Sequence, residues 1–164
     1  GHIRSRNYAK PILETVRSYQ YPEVRVYWDE DQSPAAEENP SEAAPASVDD
    51  PAAVVRWLFA FNLPCYGGGL RLAPQADGTD GLLDVCAFHR GSLGSSLRYA
   101  TSVLLRRHHR LADCTTRRVR RLRMTADAEV PYQLDGDPGG VLPVDVEVVP
   151  GRLTLVVPAE KEKG

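Results

Sequence analysis

The stretch Leu142-Pro-Val-Asp-Val-Glu-Val-Val149 alternates apolar with polar side chains over most of its length. Successive side chains of a β-strand point to opposite faces, so this period of two predicts a strand with one buried and one solvated face. The dipeptide Pro150-Gly151 predicts a turn, and residues 153–157 repeat the alternation in a last strand. The C-terminal part of the chain therefore predicts an antiparallel β-hairpin.

Strand-like segments also fill most of the chain before this hairpin. They are rich in β-branched and aromatic residues, and we expect them at residues 24–28, 53–62, 82–89, 116–126 and 130–134. Residues 53–62 form the most apolar run and predict a single buried strand. The alternation in residues 116–126 fails between Val119 and Leu122, which predicts a β-bulge.

Two helices complete the secondary structure that the sequence predicts. Residues 7–19 place apolar side chains at helical spacing. In residues 93–111 the apolar side chains share one side of a helix and the arginines lie largely on the other, namely Leu97, Ala100, Val103, Leu104 and Leu111 against Arg98, Arg106, Arg107 and Arg110. Many strands, about two helices and no regular strand–helix alternation predict a mainly β (α+β) fold, a two-layered β-sandwich-like domain.

The composition predicts one globular domain. The chain has 164 residues, of which 42% are hydrophobic and 26% are charged. Residues 30–51 contain almost no large apolar side chain and predict a mobile, acidic loop rich in proline and alanine. No run approaches the ~18 apolar residues of a membrane span. The three cysteines, Cys65, Cys86 and Cys114, are odd in number and widely spaced. This pattern predicts small core residues in a reducing, cytoplasmic compartment, rather than a disulfide framework or a zinc site.

Arginines are concentrated in one part of the chain. Nine arginines and one acidic residue lie between Arg98 and Arg123, although the net charge is −2. Four of them are candidates to face a membrane surface, or else form a solvated strand edge that resists the addition of another strand, namely Arg117, Arg118, Arg120 and Arg121. The adjacent His108 and His109 would point about 100° apart on a helix, so an exposed helix end is expected there rather than a metal site.

Three polar segments can carry chemistry. Asp77 and Asp80 lie in a glycine-bearing turn, where they can converge on a Mg²⁺ or Ca²⁺ ion or merely hydrogen-bond their own turn. Asp135-Gly136-Asp137 follows a predicted strand and precedes a Gly-Gly turn. In this position Asp137 can accept a proton from a substrate hydroxyl. Alternatively, Asp135-Gly136 simply forms a tight hairpin turn. The third segment bends the backbone or lies against a ligand, and contains Asn62, Gly67, Gly68 and Gly69.

In this order, the three segments resemble the C-terminal domain of the diacylglycerol kinase/sphingosine kinase-like lipid kinases, including the bacterial members. In that family, the domain contains, in this order, an Asn, a Gly-rich turn, the segment Pro-x-Ala-x-x-x-Asp-Gly-x-Leu-Asp, a helix, basic strands, Asp-Gly-Glu and a closing hairpin. The resemblance covers residues 8–158, and the matching residues are Asn62, Gly67, Gly68, Gly69, Pro74, Ala76, Asp80, Gly81, Leu83, Asp84, Asp135, Gly136 and Asp137.

The resemblance implies an activity and a set of site residues. The reaction would be transfer of the ATP γ-phosphoryl group to a lipid hydroxyl. Asp137 stands where the family has its proton-accepting glutamate, and Asp135 would support the turn. The family also implies a structural Mg²⁺, held by Asp77, Asp80 and the carbonyl oxygen of Leu82.

The family's nucleotide-binding segment, Gly-Gly-Asp-Gly-Thr, does not occur in this chain. Residues 1–164 are therefore expected to be the substrate-side domain alone, without the N-terminal ATP-binding domain and inactive by themselves. The expected partners are a lipid substrate, ATP through the other domain and the inner face of a membrane, but no nucleic acid. The alternatives are an NAD kinase fragment, because that family shares the two-domain plan, and a non-catalytic lipid- or protein-binding β-sandwich.

Overall fold

The structure of the chain is a computed structural model that describes residues 20–28, 50–64 and 71–154. Within these ranges it contains nine strands, one α-helix and the short 3-10 helix His108–Arg110. The helix is α1 (Leu93–Leu104), and the strands are β1 (Val24–Trp28), β2 (Ala53–Val55), β3 (Trp57–Phe61), β4 (Leu83–Phe88), β5 (Cys114–Val119), β6 (Arg121–Thr125), β7 (Pro131–Leu134), β8 (Asp137–Val141) and β9 (Val144–Glu147).

Seven of these strands form two antiparallel sheets. Sheet 1 has the order β2-β1-β6-β9, and sheet 2 has the order β3-β4-β5. The remaining two strands, β7 and β8, pair as a separate hairpin. All of these pairings are antiparallel, which confirms the predicted mainly β fold.

The two sheets pack face to face around the larger hydrophobic core. Val85 and Ala87 of β4 contribute one face of sheet 2, and Val26 of β1 and Leu122 of β6 contribute the facing side of sheet 1. None of these four side chains is more than 2% exposed. The two sheets are held together mainly by the burial of apolar surface, which stabilises the fold by about 25 cal/mol for each Å² removed from water. The predicted sandwich-like packing is thus present in the described residues.

The opposite face of sheet 2 is covered by α1. Cys86 and Phe88 of β4 point to this side and pack against Tyr99 and Val103 of the helix. The rings of Phe88 and Tyr99 are stacked, with centroids 4.4 Å apart. The strand predicted at residues 82–89 is confirmed, and it is buried on both of its faces.

The face of α1 that is buried differs from the predicted one. The buried residues are Ser95, Tyr99 and Val103, whereas Leu97 and Leu104 are 69% and 70% exposed. Only Val103 of the predicted apolar side thus belongs to the buried face. Tyr99 is buried because its ring stacks on Phe88 while its hydroxyl group finds hydrogen-bond partners.

The helix also ends earlier than residue 111, the predicted end. The Arg107 N–H donates to the carbonyl oxygen of Ser102 at 2.7 Å, and the Arg106 N–H donates to that of Val103 at 2.9 Å. This pair of bonds is the Schellman arrangement that terminates a helix. Arg106 adopts a left-handed φ of 55°, a conformation that glycine usually adopts at this position. The sequence therefore has no glycine here that would indicate the end of the helix.

The single strand predicted at residues 53–62 is wrong, because the chain changes sheets within it. β2 belongs to sheet 1 and β3 to sheet 2, and Arg56 lies between them. The Arg56 guanidinium donates to the Tyr21 carbonyl oxygen at 2.5 Å and forms an ion pair with Glu23 at 2.7 Å. A continuous apolar run suits both sheets equally, so the pattern does not reveal the crossing.

The single strand predicted at residues 116–126 is wrong for the same reason. β5 belongs to sheet 2 and β6 to sheet 1, and the chain crosses at Arg120. Val119 and Leu122 flank this crossing and are both buried. The loss of alternation between them therefore marks a change of sheet rather than a β-bulge.

The segments around the C-terminal hairpin are confirmed in part. β7 lies where residues 130–134 predict a strand, and β9 occupies the centre of residues 142–149 with alternating half-buried and exposed side chains. β8 was not predicted, because Gly139-Gly140 resembles a turn. Gly139 is in fact required within the strand, since the Tyr132 ring lies where a Cβ atom would be.

Other predictions fall on residues that the structure does not describe. The helix at residues 7–19, nearly all of the loop at residues 30–51 and most of the strand at residues 153–157 lie outside the described ranges. Within those ranges there is one α-helix, where the sequence predicted about two in the whole chain. No helix in the described ranges is long and apolar enough to span a membrane.

Asp113 ties the helix to sheet 2. Its carboxylate accepts a hydrogen bond from the Tyr99 hydroxyl at 2.7 Å and forms an ion pair with Arg98. Partial burial raises the pKa of Asp113, but the hydrogen bonds from Tyr99 and Arg98 outweigh it and the pKa is lowered overall. The carboxylate therefore favours the folded state most strongly when it is ionised.

We expect Leu122→Ala to lower the free energy of unfolding by about 2–5 kcal/mol, because it opens a cavity between the sheets. Leu97→Ala is the matched control, since the Leu97 side chain is 69% exposed, and its effect should stay within about 0.5 kcal/mol. Urea denaturation of both variants measures the difference. Equal effects would contradict the placement of Leu122 in the core.

We expect Asp113→Asn to lower the free energy of unfolding at pH 7 by roughly 1–3 kcal/mol, because charge-assisted hydrogen bonds are lost. A carboxyl group whose pKa is lowered by folding contributes stability above its unfolded pKa of 3.8 and loses it as the pH falls through the folded value. The difference between the variant and the wild type should therefore shrink below about pH 4. Denaturation at pH 7 and pH 3 measures it, and a constant difference would contradict this account.

Candidate functional site

The candidate site is built at one end of sheet 2. Phe61 of β3 pairs with Asp84 of β4, and Asp84 pairs in turn with Arg118 of β5. Directly opposite residues in antiparallel strands project from the same face of a sheet. Asp84 and Arg118 therefore lie side by side on the face that also carries Cys86 and Phe88.

The loop that leads into β4 contains the predicted metal-binding aspartates, and each aspartate also organises the loop. Asp77 Oδ1 accepts hydrogen bonds from the Thr79 N–H at 2.9 Å and the Thr79 hydroxyl at 2.7 Å. Asp80 Oδ1 accepts a hydrogen bond from the Leu82 N–H at 2.8 Å. The intervening Gly81 has a φ of 73°, which suits glycine. The turn-stabilising role that the sequence left open for both aspartates is therefore observed.

Two close approaches bring other parts of the chain to this loop. A Cβ atom at Gly78 would lie 3.2 Å from the Asn62 carbonyl oxygen, and one at Gly81 would lie 3.4 Å from Pro150 Cγ. The loop thus packs beside the end of β3 and beside the turn that follows β9. The backbone of Asn62 thus lies beside this loop; its role in a substrate cleft stays a prediction, and Gly67, Gly68 and Gly69 lie outside the described residues.

Arg118 is the residue of this site that the sequence did not assign. Its guanidinium forms an ion pair with Asp80, and its Nε lies 3.8 Å from Asp84 Oδ2. A candidate membrane-facing arginine thus lies between two carboxylates. Its position follows from the register of β4 and β5, which the sequence pattern does not contain.

The electrostatics of the site follow from this arrangement. Burial raises the pKa of Asp84, whose side chain is 13% exposed, and Arg118 partly opposes this rise. The hydrogen bonds from Thr79 lower the pKa of Asp77. Asp84 Oδ2 and Arg118 Nε are buried without a hydrogen-bond partner. Their 3.8 Å separation leaves this pair imperfectly compensated.

The donor set of the loop fits a hard divalent cation. Carboxylate and carbonyl oxygens are the ligands that Mg²⁺ and Ca²⁺ prefer. Among the described residues, Asp77, Asp80 and Asp84 outnumber Arg118, the arginine that acts on all three, so this part of the site has an excess of negative charge. The described residues contain no cluster of three or more side chains arranged around a metal position. The predicted set, however, needs only Asp77, Asp80 and the Leu82 carbonyl, and it stays a prediction.

The β7–β8 hairpin presents the predicted proton acceptor. Asp135 and Gly136 form its two-residue turn with φ values of 52° and 97°, the left-handed pair of a type I′ turn. The Asp-Gly hairpin turn that the sequence allowed is therefore observed. Asp137 opens β8 with an exposed side chain, and within the described residues no hydrogen bond or ion pair engages its carboxylate. That this carboxylate shares a cleft with the aspartate loop stays a prediction.

The other candidate arginines have separate surroundings. Arg121 forms an ion pair with Glu147 at 2.9 Å, whereas Arg117 donates a hydrogen bond only to the neighbouring Thr116 carbonyl among the described residues. Arg120 is exposed at the crossing between the sheets. The four arginines of residues 117–121 therefore do not form one uniform basic surface.

His108 corrects the expectation of an exposed histidine pair. Its side chain is buried, and Nε2 lies 2.9 Å from the Leu72 carbonyl oxygen, so this nitrogen donates the hydrogen bond. His109 is exposed, as expected. The early end of α1 explains the difference, because the chain turns His108 back towards the body of the domain.

The described cysteines are confirmed as small residues in or beside the core. Cys86 and Cys114 are free thiols with their sulfur atoms 3.8 Å apart. Hydrogen bonding with Cys114, together with burial, raises the pKa of Cys86 strongly. Cys65 lies outside the described residues.

The fold and the site define a class: a strand-dominated sandwich domain with an aspartate loop at one sheet end and an exposed Asp-Gly hairpin. A family model described as the YegS C-terminal NAD kinase β-sandwich-like domain matches residues 2–157. The chain belongs to this family.

Similar proteins carry lipid kinase names. The chain is 32% identical to a diacylglycerol kinase of Mycobacterium tuberculosis over 97 residues, which cover 59% of the chain and 31% of that protein. It is 28% identical to a diacylglycerol kinase of Bacillus subtilis over 105 residues, which cover 63% of the chain and 35% of that protein. The chain thus spans about a third of the length of these curated relatives.

Solved structures share the fold. A diacylglycerol kinase from Bacillus anthracis superposes with a TM-score of 0.56 over 90% of the chain and 47% of the solved one, at 15% identity. At this identity the likeness supports the architecture, which agrees with the two sheets described above.

We expect Arg118→Met to raise the pKa of Asp84 further, because the substitution removes the cation that opposes the effect of burial. Arg117→Met is the matched control, since Arg117 lies next to Arg118 on β5 but projects from the other face. Titration of the carboxyl carbon resonances by NMR measures both variants. An unchanged pKa of Asp84 in Arg118→Met would show that the pair does not interact in solution.

Proposed function

We propose that the chain is the C-terminal, substrate-side domain of an ATP-dependent lipid kinase of the diacylglycerol kinase type. The observation that carries the proposal is the family match over residues 2–157, joined to relatives that are named diacylglycerol kinases. The same relatives favour a lipid kinase over the NAD kinase alternative, although the family's sandwich is described as NAD kinase-like.

In this proposal Asp137 accepts the proton of the lipid hydroxyl as that oxygen attacks the γ-phosphorus of ATP. An exposed carboxylate that has no partner among the described residues, placed next to a tight turn, is available for this task. Hairpin pairing of Leu134 with Asp137 fixes the backbone at this point. The remaining catalysis is positioning and charge neutralisation, which a nucleotide-binding domain outside this chain supplies.

The aspartate loop has a structural role in the proposal. Asp77, Asp80 and the Leu82 carbonyl would hold a Mg²⁺ ion, which would supply charge neutralisation and rigidity to the loop. Arg118 already neutralises part of the same loop through Asp80. With the ion bound, the loop would have two sources of positive charge, Arg118 and the Mg²⁺ ion. The protein would act in the cytoplasm, at the inner face of the membrane.

The test is a phosphoryl-transfer assay on the native gene product that contains this chain, with labelled ATP and diacylglycerol in mixed micelles. We expect Asp137→Asn to lower kcat by about 10²–10⁴-fold, because a positioned general base is lost. Asp137→Glu should retain activity, since it restores the carboxylate of the family pattern.

Asp135→Asn is the matched control in the same turn, because asparagine also tolerates a left-handed backbone. Its activity should stay close to that of the wild type. The isolated chain should show no ATP-dependent turnover. Turnover by the isolated chain, or full activity of Asp137→Asn, would refute the proposed roles.

A further inference from the structure

Helix α1 carries a second apolar face, which is exposed and packs against none of the described core residues. Leu93, Leu97 and Leu104 are 44%, 69% and 70% exposed. With 3.6 residues per turn these leucines fall within an arc of about 40°, centred about 140° from the buried Tyr99. Leu105 follows directly after the helix, about 100° further round, and is 59% exposed. We call these four side chains the leucine face.

Single exposed leucines are common on protein surfaces, but a contiguous apolar patch marks an interaction site. Leu93, Leu97 and Leu104 share the outer side of α1 from its first residue to its last. The helix packs against sheet 2 through its opposite side, where Tyr99 and Val103 are buried. The exposed leucines are therefore not needed for packing within the described residues.

Positive charge is concentrated at the end of the leucine face. The Schellman turn after α1 leads the chain through Arg106, Arg107 and Arg110, which are all exposed. Within the described residues none of these three arginines forms an ion pair, unlike Arg118 and Arg121. We call Arg106, Arg107 and Arg110 the arginine cluster.

The acidic residues nearby do not neutralise this cluster. Residues 90–113 contain one acid, Asp113, and its carboxylate is occupied by Arg98 and Tyr99. Among the described residues, the surface is thus a leucine-lined helix beside arginines that form no ion pair. Apolar insertion combined with attraction to anionic headgroups is the chemistry by which amphipathic surfaces bind bilayers.

We propose that the leucine face and the arginine cluster together dock the domain on an anionic lipid surface. The leucines enter the boundary between headgroups and acyl chains, and the arginines contact lipid phosphates. The inference deepens the proposed function and rests on it only for the view that the docked surface contains the substrate. This surface is different from the membrane-facing surface expected at residues 117–121. There, Arg118 and Arg121 form ion pairs with carboxylates.

A second copy of the chain fits this surface less well. A two-fold symmetric contact pairs the same patch with itself. Such a contact would enclose two arginine clusters, and residues 90–113 contribute no carboxylate other than Asp113, which Arg98 and Tyr99 engage. Like charges placed together at an interface are unfavourable, whereas anionic lipid headgroups supply the missing negative charge.

The experiment is sedimentation of this chain with vesicles of phosphatidylcholine alone or with added phosphatidylglycerol. We expect binding to the anionic vesicles that weakens with salt, and little binding to the neutral ones. Changing Arg106, Arg107 and Arg110 to Ser should weaken anionic binding on the order of 100-fold. The double variant Leu97→Ser/Leu104→Ser should weaken it at least about 10-fold.

Leu134→Ser and Arg120→Ser are matched controls, because both residues are exposed outside this surface, and neither should alter binding. Circular dichroism and urea denaturation check that each variant keeps its fold. Binding that is unaffected by the helix variants, or that is lost in Arg120→Ser instead, overturns the proposal. So does a change of self-association with unchanged vesicle binding, which would identify the leucine face as a contact between copies.

A second readout separates docking from the proposed catalysis. In the native gene product, the helix variants should lose phosphorylation of lipid in vesicles but keep that of a water-soluble, short-chain diacylglycerol. Failure of the wild type on both substrates, with vesicle binding intact, would refute the kinase and leave docking standing. Equal loss on both substrates in the helix variants would instead refute a docking role.

Discussion

The domain depends on the burial of β4 on both of its faces. On one side Val85 and Ala87 join the core between the two sheets, and on the other Cys86 and Phe88 meet α1. A strand buried on both faces cannot be displaced without opening two cores at once. The aspartate loop enters this strand directly, so its backbone position is fixed by the most buried element of sheet 2. Core packing therefore fixes the strand end at which the candidate site is built.

Sequence patterns predicted most of the described strands, with β8 as the exception, but not which sheet each strand belongs to. The alternation around Leu142 and the apolar run at β4 identified both elements, because their period is a local property of the chain. The crossings at Arg56 and Arg120 were missed, since an apolar side chain fits the core from either sheet. The end of α1 was missed because Arg106 takes the left-handed conformation in which a glycine is the usual signal.

For the candidate site, too, the sequence predicted local features but not the contacts between distant residues. The spacing of Asp77 and Asp80 identified a turn with two carboxylates, and the structure adds hydrogen bonds from within the loop to both. Arg118 was assigned to a surface because its neighbours along the chain are also arginines. Its ion pair with Asp80 depends on the register between β4 and β5, which involves residues far apart in sequence. Long-range register is the information that a single sequence conceals.

The same register bears on how the aspartate loop and α1 are arranged. Asp84 and Phe88 project from one face of β4, and α1 covers Phe88 on that face. At about 3.3 Å per residue, Asp84 lies roughly 13 Å along the strand from the helix contact. The loop and the leucine face thus belong to the same side of sheet 2, opposite sheet 1. A bilayer that received the leucines would meet this layer of the domain first, so the aspartate loop would lie beside the headgroups rather than behind the sandwich.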